Sequence, residues 1–517
     1  MIPKEETNVL VATEQSVQPI PAMEKHTNAL IAHYLRDHKY SATLAAFEQE
    51  LGLRFNPNTP LNSDESLDAI IADRVNFQEI ESNAAADDEI NKLDTIVHSD
   101  AVKDKHIQLP MWSLKYPDSK EVISLGTMSA LIITSAYFQS FVDGKEYNMG
   151  LFVTNTKYLI IFDIDANEVV LAKMDPFGNK QQVKIVAGVH GTNYIVLCDM
   201  DGNLASVKLT KSEDEWQLSP VSQSLKLHRR LITDFKFFSF KDPEMPELMG
   251  YFASIGWDSR VTFGRVITDS TMGAESVPVF QNIGEYKLFT NPTCVLITQD
   301  KDTTLPVLIV GRLDSSLLTL FTITSHTAGN LVEFAKLSLN DAQFSSHSFQ
   351  PMAIAEISNV SSSSTDGATI ITVATNHVPY MRLITLVVPS IREVLKSDNT
   401  LQSLYEANKD TTESFHSKAP VLRNYIFSNF NSLSPQDKYS NAIILSRPNC
   451  SGVWIPGDDG KLRGFDLKTG NVVETLDSND GRAKSSFIGN YGPNGNMETI
   501  VVCGAVDKKI VIWKASN

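Results

Sequence analysis

Cysteine is scarce in this 517-residue chain: four residues, Cys198, Cys294, Cys450 and Cys503, lie far apart and form no CxxC pair. That argues against a disulfide framework or a cysteine zinc site and points to a reducing compartment. Positive charge is short as well. A formal net charge of −16 argues against nucleic-acid binding through phosphate neutralisation, though it says little about fold. No apolar run approaches the length of a membrane span. The first residues, MIPKEETNVLVATEQSVQ, carry two early glutamates and a five-residue apolar patch, which is not a secretory signal. These absences predict a soluble intracellular protein, nuclear or cytoplasmic with the nucleus slightly favoured, and no membrane partner.

Catalytic signatures are missing too. The chain has no GxSxG, no GxxxxGK[ST], no HExxH and no GxGxxG. Asp458-Asp459 reads as a turn and Asp87-Asp88-Glu89 as a solvated run. His26, His33 and His38, spaced by seven and five residues, do not share one helical face as metal ligands must. The expectation is a protein with no enzymatic activity, catalytic residue, cofactor or metal.

What is present divides the chain. Apolar residues make up 42 %, enough for a packed core, and the length suits either three average domains or one large repeat architecture plus a small module. Residues 1–25, polar and without sustained period, read as a disordered N-terminus. Between Thr27 and Leu53, Leu30, Ile31, Tyr34 and Leu35 share one face at helical spacing. A polar break at Arg36–Lys39 follows, then a second stripe of Tyr40, Leu44, Phe47 and Leu51, with Gly52 placed to end the helix. Two such short helices bury too little to stand alone. The remedy is a second copy, or docking on the rest of the chain.

Asn28, Leu30, Ile31, Tyr34, Leu35, Tyr40, Phe47 and Glu50 stand in the order and spacing of the LisH motif, which residues 26–56 resemble over about thirty positions. The chain departs from that pattern at Thr27, where Leu is common, at Lys39, where Gly precedes the Tyr, and at Leu44, where a small residue stands. The resemblance implies homodimerisation through Leu30, Ile31, Tyr34, Leu35, Tyr40, Leu44, Phe47 and Leu51.

Residues 57–107 are acidic and helix-friendly, with a stripe of Leu67, Ile70, Ile71, Val75 and Ile80, and read as an acidic helical linker. From residue 108 to 517 the character changes to short runs rich in Val, Ile, Phe and Thr separated by turn residues, a strand pattern. One turn recurs: Asp-x-x-aliphatic at Asp201, Asp258, Asp314, Asp459 and Asp507, with a weaker version at Asn155 and a looser one at Asn376. The successive spacings are 46, 57, 56, 62, 83 and 48 residues. Asp and Asn suit such turns because their side chains accept from nearby backbone amides.

With Asp507 in the turn and Trp513 at the signature Trp position, the last repeat, VVCGAVDKKIVIWK, resembles the WD40 repeat. Phe162-Asp163 and Phe465-Asp466 stand where Trp-Asp would, Gly264, Val207 and Leu320 replace the Trp elsewhere, and His228 is placed to bond towards Asp258. The resemblance implies a mainly β fold, a seven-bladed WD40-like β-propeller over 108–517, preceded by the small α-helical module; a β-sandwich array is the alternative. Because the final repeat ends three residues from the C-terminus, Leu109–Lys115 is expected to supply its outer strand. Two insertions stand out, the Ser-rich 357–367 and the longer 396–420, in which LQSLYEAN predicts a short helix. The run Lys226–Arg230 reads as an inter-blade loop or a site for an acidic partner.

Hairpin, acidic spacer and propeller recur together in dynein-regulating scaffolds, co-repressor subunits, splicing-associated factors and ubiquitin-ligase adaptors. The expectation is therefore a homodimeric protein-interaction scaffold within a multi-subunit complex. The alternative is a substrate-recognition or structural subunit of a ubiquitin-ligase or chromatin/co-repressor complex.

Overall fold

A computed structural model describes residues 22–52, isolated positions between 54 and 112, and 116–515 apart from short segments. The longest of those segments are 270–276, 341–348, 358–368 and 410–418. Residues 1–21, most of the expected 57–107 linker, and the Ser-rich loop beyond Ile357 lie outside the described residues.

The helical hairpin consists of α1 (Ala22–Asp37) and α2 (Ser41–Leu51). The first helix starts inside the stretch expected to lack structure, because Ala22, Met23, Glu24 and Lys25 are all strong helix formers following Pro21. The turn between the helices is tight: Tyr40 N donates to Leu35 O at 2.8 Å, and Lys39 adopts a left-handed conformation with φ +62°. Lysine thus takes the backbone geometry that glycine adopts at lower cost. Gly52, also left-handed, ends α2 and donates to Gln49 O at 3.3 Å. Leu30 and Ala32 of α1 are buried, whereas α2 has no buried residue: Leu44, Phe47 and Leu51 are only half covered and Tyr40 is 50 % exposed.

The second unit is a seven-bladed β-propeller. Among the described residues seven sheets follow one another, each mostly four antiparallel strands in chain order. The first blade runs Ile132–Val142, Lys145–Thr154, Tyr158–Asp163 and Glu168–Met174; the first strands of the next six begin at Val183, Ile232, Pro292, Pro351, Leu445 and Ala483. Six of these first strands line a central cavity of about 650 Å³, to which the second blade contributes His190, just past its first strand. Strand alternation explains their sequences, with apolar residues facing the neighbouring blade's sheet and polar ones such as Ser135, Thr233 and Thr293 reaching the cavity. Six of the seven inner strands carry a register shift one residue after their start, at Ile133, Lys184, Thr233, Thr293, Met352 and Lys484. A repeated bulge at one place turns each strand into the channel wall in the same way.

The ring closes with a strand from the start of the domain, but ten residues later than expected. Ser119–Ile123 pairs antiparallel with Ile510–Lys514, from Ser119 opposite Lys514 to Ile123 opposite Ile510. Leu109–Lys115 was the wrong segment for an outer strand. Leu109 is buried in a core with Phe430 and Val453, and Trp112 meets Trp454 edge-on at 5.2 Å. An outermost strand has one wet face, which the alternating SKEVI satisfies, while the apolar Leu109 and Trp112 gain more by packing inward.

The long spacing before Asp459 comes from chain inserted between the third and fourth strands of the fifth blade. It carries helices Ile391–Leu395 and Leu401–Lys409, the latter at the expected LQSLYEAN, and a short strand Val421–Leu422. That strand runs parallel to Leu331–Ser338, the outer strand of the fourth blade, with Lys336 opposite Val421. Val394, Leu395, Leu401 and Leu404 pack against the same core. The insertion therefore shields a neighbouring sheet edge.

Candidate functional site on the turn face

In each blade the turn between the second and third strands opens on the same side as the loop entering the next blade, since successive antiparallel strands reverse direction. Every repeat-turn residue marked from the sequence falls on this side. They do not all do the same work.

Asp258 ties its turn to the preceding inter-blade loop. His228 Nδ1 stands 3.0 Å from Asp258 Oδ1, Arg229 N donates to Oδ2 at 2.9 Å, and Arg260 N donates to Oδ1 at 3.3 Å. His228 Nε2 lies 2.8 Å from Ser254 Oγ, so a fully buried imidazole links loop, strand and turn. Burial pushes the Asp258 carboxyl up, but these hydrogen bonds outweigh it and hold its pKa below the ordinary value. Asp507 repeats the arrangement with Asn479 in place of the histidine: Asp480 N donates to Asp507 Oδ2 at 3.1 Å and Lys509 N to Oδ1 at 3.2 Å. Asn479 Nδ2 is 3.4 Å from both carboxylate oxygens, and Trp513 Nε1 donates to Ser478 Oγ at 2.9 Å.

Asp459 serves its own blade, receiving Lys461 N at 3.3 Å and a two-pronged contact from Arg463 at 3.1 and 2.6 Å. At the second blade the capping carboxylate is Asp199 rather than Asp201, accepting from Asp201 N and Asn203 N at 2.9 Å each. Asp199 is fully buried at the strand end, whereas Asp201 is exposed at the tip. At Asp314 the side chain is again exposed, and Ser315 Oγ accepts from Leu317 N at 3.2 Å instead. Asn155 donates only its backbone N–H, to Leu131 O at 2.9 Å, while Thr154 Oγ1 accepts from Tyr158 N at 3.0 Å. In four of these turns the residue after the marked Asp is left-handed: Gly202, Ser259, Gly460 and Lys508. At Gly202 the close approach of the next loop adds to this, since a Cβ would sit 2.3 Å from His228 O.

The rigid turns hold large apolar side chains in solvent. Met200, Trp257, Phe289, Val378, Tyr439 and Val506 are all exposed on this one face. Trp257 and Phe289 belong to one sector. Trp257 is 56 % exposed and its N–H donates to Leu231 O at 3.0 Å; Phe289, 60 % exposed, follows Leu288, whose N–H donates to Ser259 O at 2.8 Å. Ser259 Oγ donates to Asn291 Oδ1 at 2.6 Å, and Arg312, whose Cζ is 6.0 Å from the Phe289 ring centroid, donates to Thr290 Oγ1 at 3.1 Å. Arg229 and Arg230 stand exposed in the adjoining loop. This sector combines aromatic area, guanidinium groups and little freedom to rearrange, the composition of a protein-docking surface.

The family model for UCP007778, a beta-propeller domain, matches residues 92–514. The chain belongs to that family. It is also 24 % identical over 480 residues to YGR117C of Saccharomyces cerevisiae, described as an uncharacterized protein, across 86 % of this chain and 88 % of the yeast protein.

Within this UCP007778 propeller, sequence reasoning marked the turns but passed over Trp257 and Phe289. Both stand beside apolar strand residues, where an aromatic residue reads as core. The available signal was positional: Trp257 directly precedes the Asp of a turn, beyond the end of its strand at Gly256. Lys226–Arg230 was legible as a basic run, and the structure divides it. Lys226 is spent on Asp201 O and His228 is interior, leaving Arg229 and Arg230 outward. No helix among the described residues is long and apolar enough to cross a membrane.

Proposed function

We propose that the chain is a non-enzymatic scaffold with a WD40-like propeller, which self-associates through its LisH-like hairpin and docks partner proteins on the turn face. One observation carries the docking half: Trp257 and Phe289 are held in solvent on loops tied by the His228–Asp258 and Leu288–Ser259 hydrogen bonds. Exposed apolar surface with a polar rim is the usual mark of an interaction site. The WD40 relation is supported by the His228–Asp258 and Trp513–Ser478 contacts. Self-association is supported by α2, whose apolar side chains are all left half-covered or more exposed. A second hairpin laid on Leu35, Leu44, Phe47 and Leu51 would remove that stripe from water. Two propellers on one dimer present two docking faces, which raises avidity without new contacts.

The test has two arms. Sedimentation of a Leu35→Asp, Phe47→Asp double variant should give the monomer mass with the propeller's β signal retained; an unchanged oligomer would remove the hairpin as the seam. In parallel, the tagged protein and a form lacking residues 26–56 are purified from their own cells and their companions identified by mass spectrometry. A partner set retained without the hairpin supports docking on the propeller, whereas loss of the set with the hairpin overturns this division of roles.

A further inference from the structure

The turn face is not electrically uniform. On the sixth and seventh blades, Arg463 is spent on Asp459, and Arg482 on Asp437 at 2.9 Å and Asp458 at 3.6 Å. On the third blade Arg260 is spent on Glu285 at 2.7 Å. Arg229 and Arg230 differ. Both side chains are exposed, and among the described residues neither guanidinium has a hydrogen-bond or ion-pair partner. Asp258, which accepts from Arg229 N, is 7 % exposed in its side chain and also accepts from His228 and Arg260 N. The exposed Asp201 precedes Gly202, where a Cβ would sit 2.6 Å from Arg230 O, without forming an ion pair with either arginine among the described residues. The exposed Asp314 stands by Arg312, further along the sector.

We infer that this sector, Arg229, Arg230, Trp257, Phe289 and Arg312, binds an acidic peptide segment of a partner protein that carries an aromatic or aliphatic anchor. The inference deepens the scaffold reading and rests on it. Carboxylates of the segment engage Arg229 and Arg230, whose planar forks match a carboxylate in two-pronged geometry. The anchor lies against Trp257 and Phe289, with Arg312 already beside the Phe289 ring. The loops need little ordering on binding because Arg229 N, Trp257 N and Leu288 N are tied to Asp258, Leu231 and Ser259. Charge supplies the selectivity. On a chain of net −16, an acidic segment is repelled over most of the surface and drawn to a sector where Arg229 and Arg230 hold no ion pair among the described residues. The same net charge disfavours RNA or an anionic membrane as the occupant.

The experiment is selection of a random-peptide display library on the purified full-length protein, beside an Arg229→Glu, Arg230→Glu variant and a Trp257→Ser variant. The native protein should enrich sequences in which Asp and Glu surround an aromatic or aliphatic residue. A resynthesised peptide of that class, followed by fluorescence anisotropy, should bind about tenfold or more weakly to the charge-reversed variant and lose affinity as salt rises. The charge-reversed variant should itself enrich Lys- and Arg-containing peptides, which shows that it remains folded. Trp257→Ser should weaken binding while keeping the acidic preference. No enrichment, enrichment without acid bias, or the same pool from native and charge-reversed protein would overturn the inference. Cellular partners retained by the charge-reversed protein would also overturn it while leaving the scaffold reading intact.

Discussion

The Cζ atom of Arg447 lies 3.8 Å from the centroid of the Trp112 ring. Its guanidinium is held on the other side by Glu498, with Nε at 3.1 and 3.0 Å from the two carboxylate oxygens and Nη2 at 3.0 Å from Oε1. Nη1 donates to Ser451 Oγ at 2.9 Å, and Trp454 Nε1 donates to Glu498 at 3.3 Å. Arg447 belongs to the sixth blade and Glu498 to the seventh, while Trp112 comes from the chain leading to the closing strand. One buried cation thus joins three parts of the ring at its seam.

Breaking that pair from one side should be costly. Arg447→Ala leaves Glu498, 3 % exposed, without its partner, and is expected to lower stability by about 3–5 kcal/mol. Arg447→Met combined with Glu498→Leu removes both charges and should recover most of the loss. Thermal melting of the two variants checks this. A double variant as unstable as the single one would show that the pair's value lies in packing rather than charge.

The Asp258 contacts predict a pH dependence. The pKa in the folded chain is below the ordinary 3.8, so folding favours the ionised form. That contribution is fully present above the unfolded value and is lost as pH falls through the lower folded one. Asp258→Asn should reduce stability at neutral pH and flatten the acid limb as pH falls below the ordinary 3.8. Denaturant midpoints across that range measure it; equal acid limbs in variant and native protein would contradict the assignment.

At the hairpin turn, Lys39 holds φ +62°. A left-handed lysine costs about 1 kcal/mol or more, and glycine relieves most of it despite its own entropy. Lys39→Gly is therefore expected to stabilise the hairpin by about 1 kcal/mol, read as slower amide hydrogen exchange in α1 and α2 of the full-length protein. Unchanged or faster exchange would mean that the Lys39 side chain contributes more than its backbone geometry costs.

Local chemistry explains what was legible. Turn residues announce themselves because Asp, Asn and Gly are needed within a few positions of one another, so seven marked turns gave seven blades. Even there, which side chain caps the turn was not readable. In DMDGN the carboxylate at the strand end, Asp199, does the bonding and Asp201 does not, a distinction set by burial rather than by residue type. The helix at LQSLYEAN and the glycine ending α2 were legible for the same local reason.

The sequence by itself determined the period: short apolar strands, recurrent Asp turns and a two-stripe helical hairpin, all patterns completed within a few residues. Only the tertiary structure decided which chain segment closes the ring, that Val421–Leu422 and the two inserted helices cover the fourth blade, and that Trp257, Phe289, Arg229 and Arg230 meet on one sector. Each of those depends on surface buried or left bare between segments far apart in the chain. Hydrophobic burial is non-directional, and many partners satisfy one apolar segment equally well until the packed alternatives are compared.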